Sequence, residues 1–194
     1  LSAPSGSSLI GYQPTGTGAV STTVQSKLRE RVSVSDFGAV GDGVTDDTAA
    51  IQKALAASLN VIIEGTFLVS GTGTLFNIRN DHHITFNATI THSTTSGIVF
   101  SADGVNDWVL DGNLAVYGAG NGNGSETALY VKGCNRYKVY NVLAANMYGW
   151  GIKIDPGTYV APYADQGKFF GCTSYNCYYG LEGTPGTGAE FCEF

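Results

Sequence analysis

The sequence predicts an all-β fold, a parallel β-helix opened by a capping α-helix. Three observations carry that prediction. The 194 residues include 27 glycines and only 13% charged residues, a composition of many tight turns rather than of a helical bundle. Short apolar segments recur along the chain in two interleaved series. One stretch, Ser33–Leu55, bends through several glycines and then runs into an amphipathic helix.

The repeats come first because they set the architecture. In one series Phe86, Leu110, Val139 and Phe169 align, at intervals of 24, 29 and 30 residues. Small or turn-forming residues, Ala88, Gly112, Asn141 and Gly171, end these segments. In the second series Ile98, Leu129, Ile152 and Leu181 align, at intervals of 31, 23 and 29 residues. Two strand series that repeat together with variable spacers fit stacked coils, about 4.8 Å apart, with alternate side chains inward. A β-sandwich has no need to keep one position apolar at each repeat. The spacers Gly118–Thr127 and Asp155–Lys168 then read as loops projecting from the coils.

The N-terminal third is different. Residues 1–21 are rich in Ser, Gly, Thr and Pro and read as an extended linker. Residues 22–32 read as a short neck helix, capped by Thr22 or Thr23, with Val24, Leu28 and Val32 in one stripe. That stripe is too narrow to stabilise an isolated helix, so it needs a neighbour: the β-helix or other copies of the chain. Residues 33–194 form the β-helix domain. Within Ser33–Leu55, Gly38, Gly41 and Gly43 bend the backbone, and Thr45, Asp46 and Asp47 cap a helix from about Asp46 to Ser58. Ala50, Ile51, Ala54 and Leu55 give that helix one apolar side. Val61–Ile63 and Thr66–Val69 follow as two strands joined by Glu64-Gly65.

Several function classes are disfavoured. The net charge is −6, which offers no basic surface to nucleic acid. No run of 18 apolar residues predicts a membrane helix. Cys134, Cys172, Cys177 and Cys192 lack metal spacing and read as small apolar residues of a reduced protein. His82, His83 and His92 form no triad or zinc set, and no metal or cofactor is expected. The chain starts at Leu1 and stops at Phe194 inside an expected strand, so it reads as part of a longer protein.

The string Val34-Ser35-Asp36-Phe37-Gly38-Ala39-Val40-Gly41-Asp42-Gly43-Val44-Thr45-Asp46-Asp47-Thr48-Ala49-Ala50-Ile51-Gln52 resembles the opening motif of the pectate-lyase-like superfamily. With Thr22–Arg31 before it, the segment is similar to the start of the β-helix in bacteriophage tailspikes and tail-fibre depolymerases. The resemblance covers about residues 20–70 and implies a right-handed β-helix, usually trimeric, that binds and often cleaves a surface polysaccharide. It also implies a place in the phage virion, acting at the host surface, with phage tail or baseplate proteins as partners. The motif itself is a cap and carries no catalysis. Polygalacturonase signatures and the calcium ligands of pectate lyases are absent.

Glycoside hydrolysis needs two carboxyl groups across the scissile bond. The repeat register puts Tyr130, Lys153 and Glu182 in one outward column and Lys132 and Asp155 in another. Asp155 and Glu182 are therefore the candidate catalytic pair, with Asp165 in reserve. Tyr159 and Tyr163 in the loop, together with Tyr130 and Lys153, are the candidate sugar contacts. Surface ion pairs along these columns are the competing explanation. The functional expectations are a depolymerising tailspike, a non-catalytic trimeric adhesin or stalk, or a secreted polysaccharide lyase or hydrolase. The catalytic groups of the whole protein could also lie beyond Phe194.

Overall fold

A computed structural model describes residues 6–120, 124–155, 167–183 and 190–192, with backbone positions only at 181–183 and 190–192. The first strands, β1 (Gly11–Tyr12) and β2 (Thr22–Thr23), form a small antiparallel ladder. Helix α1 (Val24–Leu28) follows, five residues long and without a buried residue. Thr23 caps it, its hydroxyl accepting from the Ser26 N–H. The helical stretch is thus shorter than residues 22–32, because β3 (Val32–Ser33) already pairs with the first coil.

Strand β4 (Asp42–Asp46) and helix α2 (Thr48–Ala57) form the cap. Ala50, Ile51, Ala54 and Leu55 are its buried face. The cap chemistry differs from the expected one. Asp47 makes no bond to the helix terminus; its carboxylate turns back and accepts from the Val40 and Gly41 N–H groups at 2.8 and 3.0 Å. Asp42 holds Val44 and Thr45, and Asp46 accepts from the Thr48 N–H at 3.0 Å. Each carboxylate has its own share of the turn.

Five coils follow. Their first strands are β5 (Asn60–Val69), β7 (His83–His92), β9 (Val109–Tyr117), the pair β11 (Lys138–Tyr140) and β12 (Val142–Ala145), and the pair β14 (Lys168–Phe170) and β15 (Thr173–Tyr175). With β3, β4 and β17 (Glu190–Cys192) they make a ten-stranded sheet. The second strands, β6 (Thr74–Asn77), β8 (Ser96–Asp103), β10 (Ser125–Lys132), β13 (Trp150–Asp155) and β16 (Tyr179–Gly183), make a five-stranded sheet. Every pairing among the coil strands is parallel. The fold is a β-solenoid, as the repeats predict.

Details differ from the repeat alignment. Residues 60–69 form one bent strand, not two, because Gly65 takes φ 134° and the ladder to β7 runs unbroken across it. Leu110 pairs with Ile84 rather than Phe86, and Leu129 with Phe100 rather than Ile98. Phe86 is buried all the same, whereas Ile98 is only half-buried. In each series only the first member is two residues out, a slip that leaves the inward face unchanged, while Leu110, Val139 and Phe169 and likewise Leu129, Ile152 and Leu181 pair as aligned. The core runs between the sheets: Ile84, Leu110, Val139 and Phe169 in one column, and Phe76, Phe100, Leu129 and Ile152 in another.

One corner repeats a tripeptide: Asn80-Asp81-His82, Asn106-Asp107-Trp108 and Asn135-Arg136-Tyr137. The central residue of each has positive φ, between 52° and 61°. The third residue points inward, and all three are fully buried. Trp108 and Tyr137 stack with ring centroids 4.6 Å apart. A Cβ at Gly167 would collide with the Tyr137 ring, which explains why the next coil has glycine there.

Candidate functional site

The five-stranded sheet brings most of the sequence-derived site residues together. Tyr130 on β10 pairs with Lys153 on β13, which pairs with Glu182 on β16. Lys132 lies between Asp103 and Asp155 in the next column. The Tyr130 phenol donates to Asp155 Oδ2 at 3.1 Å. Burial, and then that hydrogen bond and the Asp155 charge, push the Tyr130 pKa up to about 12, so it is a proton donor rather than a base at neutral pH. Lys132 Nζ reaches Asp103 at 3.5 Å. Only the backbone position of Glu182 is described, and Asp165, Tyr159 and Tyr163 lie outside the described residues.

The structure adds aromatic residues that the sequence reading missed. Trp150 and Tyr179 stack with centroids 4.5 Å apart, and Tyr178 meets Tyr179 edge-on at 4.7 Å. Lys153 Nζ lies 4.2 Å from the Trp150 ring centre and 5.6 Å from that of Tyr130. Tyr178 and Tyr179 are 45% and 43% exposed, so the patch faces solvent. A signal existed: Trp150 and Tyr179 each stand two residues before an aligned core residue, Ile152 and Leu181. The patch combines flat apolar rings, one cation and a carboxylate that is already hydrogen-bonded.

A buried polar cluster lies at the start of β10 and β13, beside Trp150. His92 Nδ1 and Glu126 Oε1 are 2.6 Å apart, and both side chains are fully buried. His92 Nε2 faces the Gly71 carbonyl and the Thr94 hydroxyl, each at 2.9 Å. Glu126 Oε2 accepts from the Tyr148 N–H at 3.0 Å. Gly71, His92, Glu126 and Tyr148 belong to four successive coils, so the cluster stitches the corner. Among the described residues no group of three or more His, Cys, Asp or Glu side chains could hold a metal ion. The described thiols of Cys134, Cys172 and Cys177 donate to the backbone carbonyls of Ala102, Val139 and Ala144, and burial raises the Cys172 pKa.

This geometry can be set beside known proteins. Residues 31–71 match the model of the family described as rhamnogalacturonase A/epimerase, pectate lyase-like. A tailspike protein mutant of E. coli bacteriophage HK620, solved in complex with a pentasaccharide, superposes with a TM-score of 0.70 and 16% identity over 96% of this chain and 37% of that one. The fold is the β-helix that this tailspike has. The tail spike protein of Shigella phage Sf6 is 24% identical over 91% of the chain, and the pre-neck appendage protein of Bacillus phage phi29 is 28% identical over 70%. The matched region spans 30% of the Sf6 protein and 18% of the phi29 protein. The solenoid is therefore comparable to one segment of much longer tail proteins.

Proposed function

We propose that the chain is a segment of a phage tail appendage, carried on the virion, that binds a bacterial surface polysaccharide. The observation that carries this reading is the aromatic patch in which the exposed Tyr178 and Tyr179 meet the half-buried Trp150 beside Lys153 on a rigid sheet. Ring faces suit the apolar faces of pyranoses, and stacked strands hold them with little entropy left to lose on binding. The likeness to tailspikes, one of them solved with a pentasaccharide, supports it. The test is binding of purified capsular and O-antigen polysaccharides to the protein. Trp150→Ala weakens that binding at least tenfold without lowering the melting temperature; unchanged binding removes the patch from the function.

The finer reading is depolymerisation by hydrolysis, with Asp155 and Glu182 as the carboxylates and Asp165 in reserve. Glu182 pairs with Lys153, two residues before Asp155 on the adjacent strand. Backbone positions so related are roughly 8 Å apart, from strand spacing and rise. Asp155→Asn and Glu182→Gln each abolish cleavage of the bound glycan while preserving the fold. Cleavage at the wild-type rate by both variants places catalysis elsewhere in the full protein. The non-catalytic adhesin or stalk is the reading that remains if no cleavage occurs at all.

A further inference from the structure

We propose that a groove along the bend of the ten-stranded sheet is a second glycan subsite, one that takes an uncharged run of sugars. The proposal rests on the polysaccharide-binding reading above and concerns a different sheet from the aromatic patch. The groove has a volume of about 550 Å³ and crosses β5, β7, β9 and β12 where the coils turn. That volume lies within the roughly 300–1,000 Å³ of small-molecule sites.

Its lining dictates the ligand chemistry. Asn87 pairs with Asn113, and Asn141 precedes Val142, which pairs with Leu114, so one asparagine per coil stands in a column. Successive amides are thus about 4.8 Å apart along the solenoid axis. All three are exposed, and among the described residues neither the Asn87 nor the Asn113 side chain has a hydrogen-bond partner. Each amide offers both donors and acceptors, the pattern that sugar hydroxyls need. Ala88, Ala115 and Thr89 keep the walls low enough for a ring to reach the amides. No charged side chain lines the groove. An anionic sugar would lose water there without gaining a counter-charge, so the geometry selects a neutral one.

A polymer that engages this groove and another subsite on the same chain gains from both, since the second contact is intramolecular. The test uses surface plasmon resonance with immobilised bacterial O-antigen and capsular polysaccharides, one set neutral and one acidic. Wild-type protein is compared with Asn87→Ala/Asn113→Ala, which removes amides without adding bulk, and with Ala115→Trp, which fills the groove. Sedimentation and melting temperature are followed in parallel.

The expected result is binding to at least one neutral polysaccharide, weakened tenfold or more by the double alanine variant with melting temperature and mass unchanged. Ala115→Trp acts as confirmation if it folds. Equal binding by wild type and double alanine variant overturns the groove and leaves the polysaccharide reading standing. Groove-dependent binding confined to acidic polysaccharides overturns the neutral assignment. A double alanine variant that changes the oligomeric mass makes the groove a subunit contact and overturns the proposal. No binding by the wild type to any polysaccharide overturns both the groove and the reading it rests on.

Discussion

Two buried side chains, His92 and Glu126, hold one corner of the solenoid together. The Gly71 carbonyl can only accept, so His92 Nε2 supplies a proton there, and the 2.6 Å contact from Nδ1 to Glu126 holds another. Removing either partner leaves a buried polar group with nothing to replace its bond. His92→Ala leaves the Glu126 carboxyl and the Gly71 carbonyl without their bonds and is expected to cost more than Glu126→Gln. Glu126→Gln keeps the shape and part of the bonding, and is expected to cost about 1–3 kcal/mol. Urea unfolding monitored by circular dichroism measures both, and losses below 1 kcal/mol would mean that the corner does not depend on the pair.

His82, also fully buried, makes stability depend on pH. Its Nδ1 accepts from the Arg79 N–H at 3.0 Å, so the proton resides on Nε2, which donates to the Ser58 carbonyl at 3.1 Å. Burial first, and the Arg79 guanidinium second, lower its pKa from the ordinary 6.5. The unfolded chain therefore binds this proton more readily than the folded one. The contribution is fully present above pH 6.5 and is lost as pH falls from 6.5 through the lowered folded value. The melting temperature of wild type should drop over that window by more than that of His82→Gln; parallel curves for the two proteins would exclude His82 as the cause.

At the scale of the element, the cap and the bends carry the fold, and here the limits of sequence reading have physical reasons. The capping helix and the five coils were legible because each buries a periodic apolar face. Strand register was legible only to within two residues, because Phe86 and Ile84 occupy the same inward face. The aromatic patch was legible in register: Tyr130 and Lys153 follow from it, and so does the pairing of Trp150 with Tyr179, two residues before Ile152 and Leu181, although the sequence reading named only the first two. The His92–Glu126 contact left no local signal, since the two residues are 34 apart. Asp47 was legible as important but not in its role. Because it ties the Val40 and Gly41 N–H groups, Asp47→Ala is expected to destabilise the cap by about 1–3 kcal/mol for each N–H left without a partner. Gly112, with φ 95°, stands against the Phe86 carbonyl, which a Cβ would overlap. Gly112→Ala should therefore cost more than an ordinary glycine substitution and yield little folded protein, whereas Gly180→Ala, with open space around it, should express normally.

For the whole molecule, the unpartnered surface is at the N-terminus. Leu9, Val20 and Leu28 are 83%, 78% and 69% exposed, and Ile10 is exposed as well. All four lie in or beside the small ladder and α1, where a helix of five residues has no stability of its own. The β-helix does not cover them, although it does partly cover Val32 of the same stripe, and we propose that other copies of the chain do. Three solenoids side by side around such a neck would bury these side chains at one axis and leave the five-stranded sheets open to a polymer. Sedimentation at micromolar concentration should give a species of three times the 20.3 kDa chain. Leu28→Asp should dissociate it while leaving the melting of the coils unchanged, since no coil residue depends on Leu28 for burial. A monomeric wild-type protein would remove the trimer, and a trimer indifferent to Leu28→Asp would move the contact from the neck to the flanks of the solenoid.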